Sequence, residues 1–505
     1  MGATVVTLND DREVLSDGGI LIEDGIIARV GAASRLVADH PEVARVDCGD
    51  GVLIPGLVNT HTHLFQTLLK GLGDDRVLKD WFLTMTGPSA AALTKEDCYW
   101  AGLHGCAEAL LTGTTTVLDF MYVHPQPGCT QAVVDAMTDI GIRGLVARGY
   151  MTTGDDSGVP LTLIESAKSA LADAEMLIRR HNVPGARVRV GLAPCMIWTV
   201  DEATLRQTRA LADRTGALIT MHVAETDYEL QNSFSRFGRR DTAVLEQCGL
   251  LGPDLLAVHC VQSDAQDIKM LASHGVKVSH NPCSNLYLGS GVAPVYEMQR
   301  QGITVGLATD GPASSNNHSM LQAMKFAALS QKGAHRDAQI ITAERVLEMA
   351  TIDGARAMGM DNEIGSIEVG KRADLVLLKL NNFCVRPLHH VVSALVYSAR
   401  GDEVDSVWVD GRRVVDGGRL TTRDESDILA ASQRSADALV ERAGTQPLRN
   451  RPWRSVIPHP MQATAGWAIR AATVMSLRRM ETVVAFANAG RRWWPQPTPG
   501  AEASN

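Results

Sequence analysis

"PGLVNTHTHLFQTLL", residues 55–69, carries an apolar run into Thr60-His61-Thr62-His63. If that run is a strand, residues two apart face the same side, so the imidazoles of His61 and His63 enter one space where the strand stops. Two converging neutral imidazoles are half of a metal site. Whether the other half exists depends on the rest of the chain.

Outward from this stretch the sequence alternates. Apolar strand-like runs fall at 52–58, 114–119, 142–149, 187–193, 217–222, 255–259, 275–279 and 303–308. Helical patterns such as "DCYWAGLHGCAEALLTG" and "TLIESAKSALADAEMLIRRH" fill most of the gaps. Eight strands alternating with helices predict an α/β protein whose parallel strands close into a (β/α)8 TIM barrel, here over 55–362. The flanks read differently. In 1–54 and 363–445, β-branched runs punctuated by Gly and Asp ("GGILIEDGIIARVG", "EVDSVWVDGRRVVDGG") predict a small β-sandwich built from both chain ends, with a helix closing its second part. From 446 to 505 the sequence turns to Pro and Arg without lysine, an atypical tail with one helix-like stretch, "GWAIRAATVMSLRRMETVVAFA".

Composition narrows the function classes. Apolar residues at 45% and charged residues at 21% leave ample material for a large core. A net charge of −9 offers no basic face, so neither nucleic acid nor a membrane surface is an expected partner. The nine cysteines are odd in number and contain no Cys-x-x-Cys pair, which argues against a disulfide framework. With no leader-like start and no apolar run of about 18 residues, a cytoplasmic protein is expected.

A barrel places its active site at the C-terminal ends of its strands. Read that way, strand one ends in His61 and His63, strand five in His222 ("TMHVAET"), strand six in His259 ("AVHC") and strand eight in Asp310 ("LATDG"), with Glu225 just past strand five. Three imidazoles and one carboxylate suit Zn2+, with Fe2+, Co2+ or Ni2+ as alternatives. Glu225 is the expected proton carrier. His259 is read either as a further ligand or as a hydrogen-bond partner of the attacking water, the second being favoured. Strand four, "RVRVGLAP", has no lysine to bridge two metals, so one ion per subunit is expected. Gln66, Trp81, Met85, Trp198, Asn285 and Ser314, on or near the loops after strand ends, are candidates for holding a flat ring. His104 sits within a helical pattern and is read as structural, and His124 is a candidate to face the pocket.

Together, "NTHTH", "HVAET", "AVHC", "SHNPCSN" and "ATDGPASSNN" resemble, in order and spacing, the motifs of the amidohydrolase superfamily in its single-metal deaminase branch. The resemblance implies metal ligands at His61, His63, His222 and Asp310, an acid/base at Glu225 and a catalytic histidine at His259, with Asp310 sharing in catalysis. Segments such as "NLYLGSGVAPVYEM" and "LEMATIDGARAMGMDNEIGSIEVGKRADL" are similar to triazine aminohydrolases and chlorohydrolases. The stretch Gly311-Pro312-Ala313-Ser314-Ser315 instead resembles purine and adenosyl-type deaminases. Against the latter, Cys195 stands where their strand-four histidine falls, and "TGPSAAALT" has no acid for ribose hydroxyls. The expected activity is therefore zinc-dependent release of ammonia from an aminated heterocycle, either an s-triazine such as melamine or a free base such as 8-oxoguanine. The alternative is deamination of S-adenosylhomocysteine, methylthioadenosine or adenosine, or triazine dechlorination. Relatives of this kind commonly form homo-oligomers, and that is expected here.

Overall fold

The structure is a computed structural model that describes residues 1–452, so most of the tail read at 446–505 lies outside the described residues. Two eight-stranded sheets organise the chain. The N-terminal part supplies β1 (Ala3–Val6), β2 (Val14–Glu23), β3 (Ile26–Ala32) and β4 (Val52–Pro55). The barrel follows as β5 (Leu57–Thr62), β6 (Thr114–Met121), β7 (Arg143–Tyr150), β8 (Val188–Pro194), β9 (Ile219–Val223), β10 (Leu255–His259), β11 (Lys277–His280) and β12 (Val305–Leu307). The chain then returns to the first sheet with β13 (Leu375–Leu378), β14 (Val404–Val409), β15 (Arg412–Asp416) and β16 (Arg419–Leu420).

Barrel neighbours pair in parallel from β5 through β12. Side chains close the ring. Asn59 on β5 donates to Thr309 Oγ1 (2.8 Å) and accepts the Thr309 N–H (3.1 Å), and the Asp310 N–H donates to the His61 carbonyl (3.1 Å). Strands buried on both faces read as continuous apolar or β-branched runs, as all-parallel sheets require. "TTTVLDFM" in β6 is buried at all eight positions. Between β5 and β6, helix Lys95–Leu111 begins at a reciprocal cap. Thr94 Oγ1 accepts the Asp97 N–H (3.1 Å), and Asp97 Oδ2 accepts the Thr94 N–H (2.8 Å).

The run read as one strand over 52–58 is two. Val52–Pro55 belongs to the small sheet and Leu57–Thr62 to the barrel, with Gly56 at the junction. A Cβ on Gly56 would lie 1.9 Å from Thr115 Oγ1, so only glycine lets the chain cross from one sheet to the other here. The apolar run gave no sign of the break because both strands are buried and no polar residue marks it.

The small sheet runs β16-β15-β14-β13-β4-β1-β2-β3 as one continuous hydrogen-bonded order. It curls on itself, so its two wings face each other as the layers of a sandwich would. Ala3, Val5, Ile27, Leu53, Leu375 and Trp408 form a separate apolar core between them. The β2–β3 turn meets the β14–β15 turn so closely that a Cβ on Gly25 would be 2.6 Å from the Asp410 carbonyl oxygen.

Candidate active site at the C-terminal end of the barrel

The strand-end residues singled out in the sequence converge. His61 Nε2 and His63 Nε2 lie 3.2 and 3.4 Å from Asp310 Oδ1, and His222 Nε2 lies 3.3 Å from His63 Nε2. His259 Nε2 is 3.6 Å from Glu225 Oε2. All six side chains are buried.

The donor chemistry fits a cation. His63 Nδ1 donates to the Phe120 carbonyl (2.8 Å) and His222 Nδ1 to the Cys195 carbonyl (2.8 Å). Both rings are thereby fixed as the Nδ1–H tautomer, with bare Nε2 lone pairs facing each other at 3.3 Å. Two lone pairs so placed repel unless a positive charge lies between them. Neither ring nitrogen of His61 has a hydrogen-bond partner. Two ligand atoms about 2.0–2.1 Å from a tetrahedral centre are about 3.3 Å apart, which matches these separations. His61, His63 and His222 form one such group, and His61, His259 and Asp310 form a second that shares His61.

Burial and mutual repulsion set the protonation states. Desolvation pushes His61 down to about 4 and His63 to about 3, and it drives His222 well below the ordinary imidazole value. The imidazoles are therefore neutral at pH 7, the form that ligates metal. Asp310 is held well below the ordinary carboxylate range despite its burial, because the imidazoles of His61 and His63 crowd its Oδ1 and outweigh the desolvation. Ser284 Oγ and Ser314 Oγ also donate to its Oδ2, at 2.5 and 3.2 Å. Glu225 moves the other way. Burial, then the charge of Asp310, raise it to about 8, with Ser290 Oγ donating to its Oε1 at 3.3 Å. A carboxyl titrating near neutrality is suited to both taking and giving a proton.

Left-handed backbone recurs in the same place. Ala224, His259, Cys260 and Asp310 are non-glycine residues with φ of +49°, +70°, +51° and +60°. Such conformations persist only where surrounding contacts over-determine them, and they cluster at functional sites. The turn carrying Glu225 is held by two further buried acids that the sequence reading missed. Asp241 Oδ2 accepts the Ala224 N–H (2.7 Å), and Glu229 Oε2 accepts the N–H groups of Glu225 and Thr226. Glu229 had a signal available: Thr226-x-x-Glu229 has the spacing of a helix-capping box.

Above the cluster opens a cavity. Gln66, Trp81, Trp198 and Ser314 line it, together with Phe82, Tyr122, Met151, Met196, Tyr228 and Leu288. Two ring candidates sit elsewhere. Met85 is fully buried beside Gly73 and Trp81, off the cavity wall. Asn285 stands behind His259 and accepts its Nδ1–H at 2.9 Å, which makes it a holder of the histidine rather than of a ligand. His124 is also off the wall, hydrogen-bonded to Thr130 Oγ1 (2.8 Å), and His104 meets Ser432 Oγ (2.8 Å). A Cβ on Gly311, next to Asp310, would lie 2.0 Å from Gln66 Oε1, so a larger residue there would push the Gln66 amide aside.

Fold and site together define a barrel hydrolase with one buried metal-competent cluster. Residues 52–414 match the amidohydrolase family, and the chain belongs to it. Over 425 residues it is 37% identical to a 5-methylthioadenosine/S-adenosylhomocysteine deaminase of Desulforudis audaxviator, covering 84% of this chain and 95% of that one. Among solved structures, an adenosine deaminase from Xanthomonas campestris with bound zinc superposes with a TM-score of 0.80 at 31% identity, over 87% of this chain and 98% of that one. A mutant atrazine chlorohydrolase from Arthrobacter aurescens, complexed with zinc and atraton, superposes with a TM-score of 0.82 at 25% identity, over 86% and 99%. The protein is thus a hydrolase of non-peptide C–N bonds in the deaminase branch of that family. Among the described residues no helix is long and apolar enough to cross a membrane.

Proposed function

We propose that this chain is a zinc-dependent aminohydrolase of an adenosine-type aminopurine, releasing ammonia from the ring carbon that bears the amino group. Relatives named for methylthioadenosine, S-adenosylhomocysteine and 5'-deoxyadenosine deamination move the reading away from the free bases and melamine favoured by sequence motifs alone. The observation that carries it is the buried Glu225 carboxyl, poised near neutrality 3.6 Å from His259 at the rim of the ligand cluster.

His61, His63, His222 and Asp310 hold the ion, which when bound supplies the Lewis acidity that activates water at neutral pH. Glu225 accepts the proton of the attacking water and passes it to a ring nitrogen; it then takes the remaining proton of the oxygen added to the ring carbon and delivers it to the departing amine, because ammonia leaves only when protonated. His259, its tautomer set by Asn285, presents its bare Nε2 as the hydrogen-bond acceptor that orients the attacking water. Asp310 remains ionised throughout, fixed by Ser284 and Ser314.

The test is ammonia release by zinc-loaded protein across adenosine, 5'-deoxyadenosine, methylthioadenosine, S-adenosylhomocysteine, guanine, 8-oxoguanine and melamine, with Glu225→Gln as control. Turnover of an adenosine-type member that is lost in the control supports the reading; turnover confined to melamine or a free base overturns it. One observation favours the triazine branch as a second reading. Among the described residues, the only carboxylates lining the cavity are Glu225 and Asp310, both committed to the reacting centre.

A further inference from the structure

The cavity has two ends of unlike chemistry. At the inner end are the ligand cluster, Glu225 and Gln66. The outer part is walled by rings: Trp198 meets Phe82 edge-on, with centroids 6.1 Å apart, and meets Tyr228 on its other side at 5.7 Å. Met151, Met196 and Leu288 extend this apolar surface, and its two aliphatic hydroxyls are engaged within the protein, Ser157 donating to Asp156 (3.2 Å) and Thr199 to the Met196 carbonyl (3.1 Å). Lys79 lies over the Tyr228 ring, 4.3 Å from its centroid, and is the only cation on the wall among the described residues.

Two polar atoms here have no protein partner. The indole Nε1 of Trp198 is buried and donates to nothing, and Gln66 Oε1 is buried and accepts nothing, although Gln66 Nε2 reaches the Tyr122 hydroxyl at 3.5 Å. A buried donor or acceptor left unsatisfied costs about 1–3 kcal/mol, so groups like these mark where a ligand or ordered water completes the pairing. Gln66 Oε1 packs against Gly311, next to Asp310, and so sits beside the reacting centre. Trp198 sits in the ring wall.

Resting on the deaminase reading, we propose that the group attached to the aminated ring is recognised by the Phe82–Trp198–Tyr228 wall through apolar and stacking contact. The Trp198 N–H supplies one hydrogen bond to an acceptor on the ligand, and Gln66 Oε1 takes an N–H near the reacting carbon. The substrate is an aminated N-heterocycle whose substituent is apolar or a thioether, and sugar hydroxyls are not required. A diol would want a carboxylate pair of hydrogen bonds, and both carboxylates present face the ligand cluster. Each methylene buried on the wall is worth about fourfold in affinity, whereas a missing hydroxyl that no group reads is worth little.

The experiment is a kcat/KM series for ammonia release from adenosine, 2',3'-dideoxyadenosine, methylthioadenosine, 9-ethyladenine and 9-butyladenine. Calorimetric binding of the same compounds to zinc-loaded Glu225→Gln protein runs in parallel. The expected result is dideoxyadenosine within about fivefold of adenosine, methylthioadenosine at least about tenfold above it, and 9-butyladenine about tenfold above 9-ethyladenine. Loss of more than about a hundredfold on removing the diol, or no gain with substituent length, overturns the proposal. Trp198→Phe, which keeps a ring and removes the N–H, should raise KM for methylthioadenosine with kcat nearly unchanged; an unchanged KM overturns the assigned donor. If no adenine derivative is deaminated, the adenosine-type reading falls. The binding series still decides the wall: affinity that rises with apolar length and ignores the diol upholds it, and flat or diol-dependent affinity overturns it.

Discussion

The two ends of the barrel both bury charge, and they do so in opposite ways. At the N-terminal end, Arg143 opens β7 and is almost fully buried, yet each of its contacts is answered. Its guanidinium binds Asp374 through Nε (2.6 Å) and Nη2 (3.1 Å), and it also reaches Asp410, which in turn pairs with Arg187 (2.8 Å). These residues join the barrel to the β13 and β14–β15 ends of the small sheet. At the C-terminal end, His61 has two unpartnered nitrogens, His63 and His222 face lone pair to lone pair, and Glu225 is held near 8. The buried charge of one end is satisfied within the protein. The other is complete only with something bound. In barrels generally the first kind of site serves stability and the second serves chemistry, and here the difference is visible atom by atom.

Substitutions that separate the two ends sharpen this contrast. The largest effect is expected from Glu225→Gln: ammonia release should fall by about 10^3-fold or more, while the melting temperature holds or rises, because a buried carboxyl is removed. A melt that drops along with activity would break the division. His61→Ala should abolish activity together with bound metal, read by elemental analysis, and should cancel the melting shift on adding zinc, since an ion that binds only the folded state stabilises it.

Arg143→Ala should do the reverse, costing about 3–5 kcal/mol in denaturant unfolding by stranding Asp374 and Asp410, with kcat per folded molecule preserved. Asn285→Ala releases the His259 ring and should lower kcat by about 10–100-fold with metal content unchanged. The smallest effect concerns Glu229. Burial, then the charges of Glu225 and Asp241, raise it to about 8 from 4.5. The folded state therefore holds a proton that the unfolded chain releases, so its contribution to stability is full below pH 4.5 and is lost as pH rises to about 8. Glu229→Gln should gain in melting temperature relative to the parent between pH 5 and 8, by a few degrees, since about 1 kcal/mol moves a large domain by only about 2–4 °C. A difference that does not change with pH would remove Glu229 as the titrating group.

Much of the site was legible before any coordinates because it lies on strand ends. His61 and His63 two apart, His222 and His259 closing apolar runs, and Asp310 after "LAT" are local patterns whose direction follows from the strand period. What surrounds them was less legible. Asn285 looked like a ring contact from its loop position, but it holds His259, and Met85 lies off the wall. Phe82, Tyr122 and Tyr228 were not singled out, because an aromatic residue in a helix or loop reads the same whether it packs inward or lines a cavity. The division of 52–58 into two strands was hidden, since continuous burial erases the alternation that marks a boundary.

The sequence by itself therefore determined the barrel, the small β domain made from both chain ends, and the strand-end residues that gather at one mouth of the barrel, because periodicity and strand-end position are properties of neighbours along the chain. Only the tertiary structure decided which nitrogens are bare, that Glu225 titrates near neutrality while Asp310 does not, and that the outer cavity is a wall of rings with one unanswered indole N–H. Those are properties of residues far apart in sequence. Desolvation, charge–charge repulsion and hydrogen-bond satisfaction depend on distance in space, and the fold alone sets those distances.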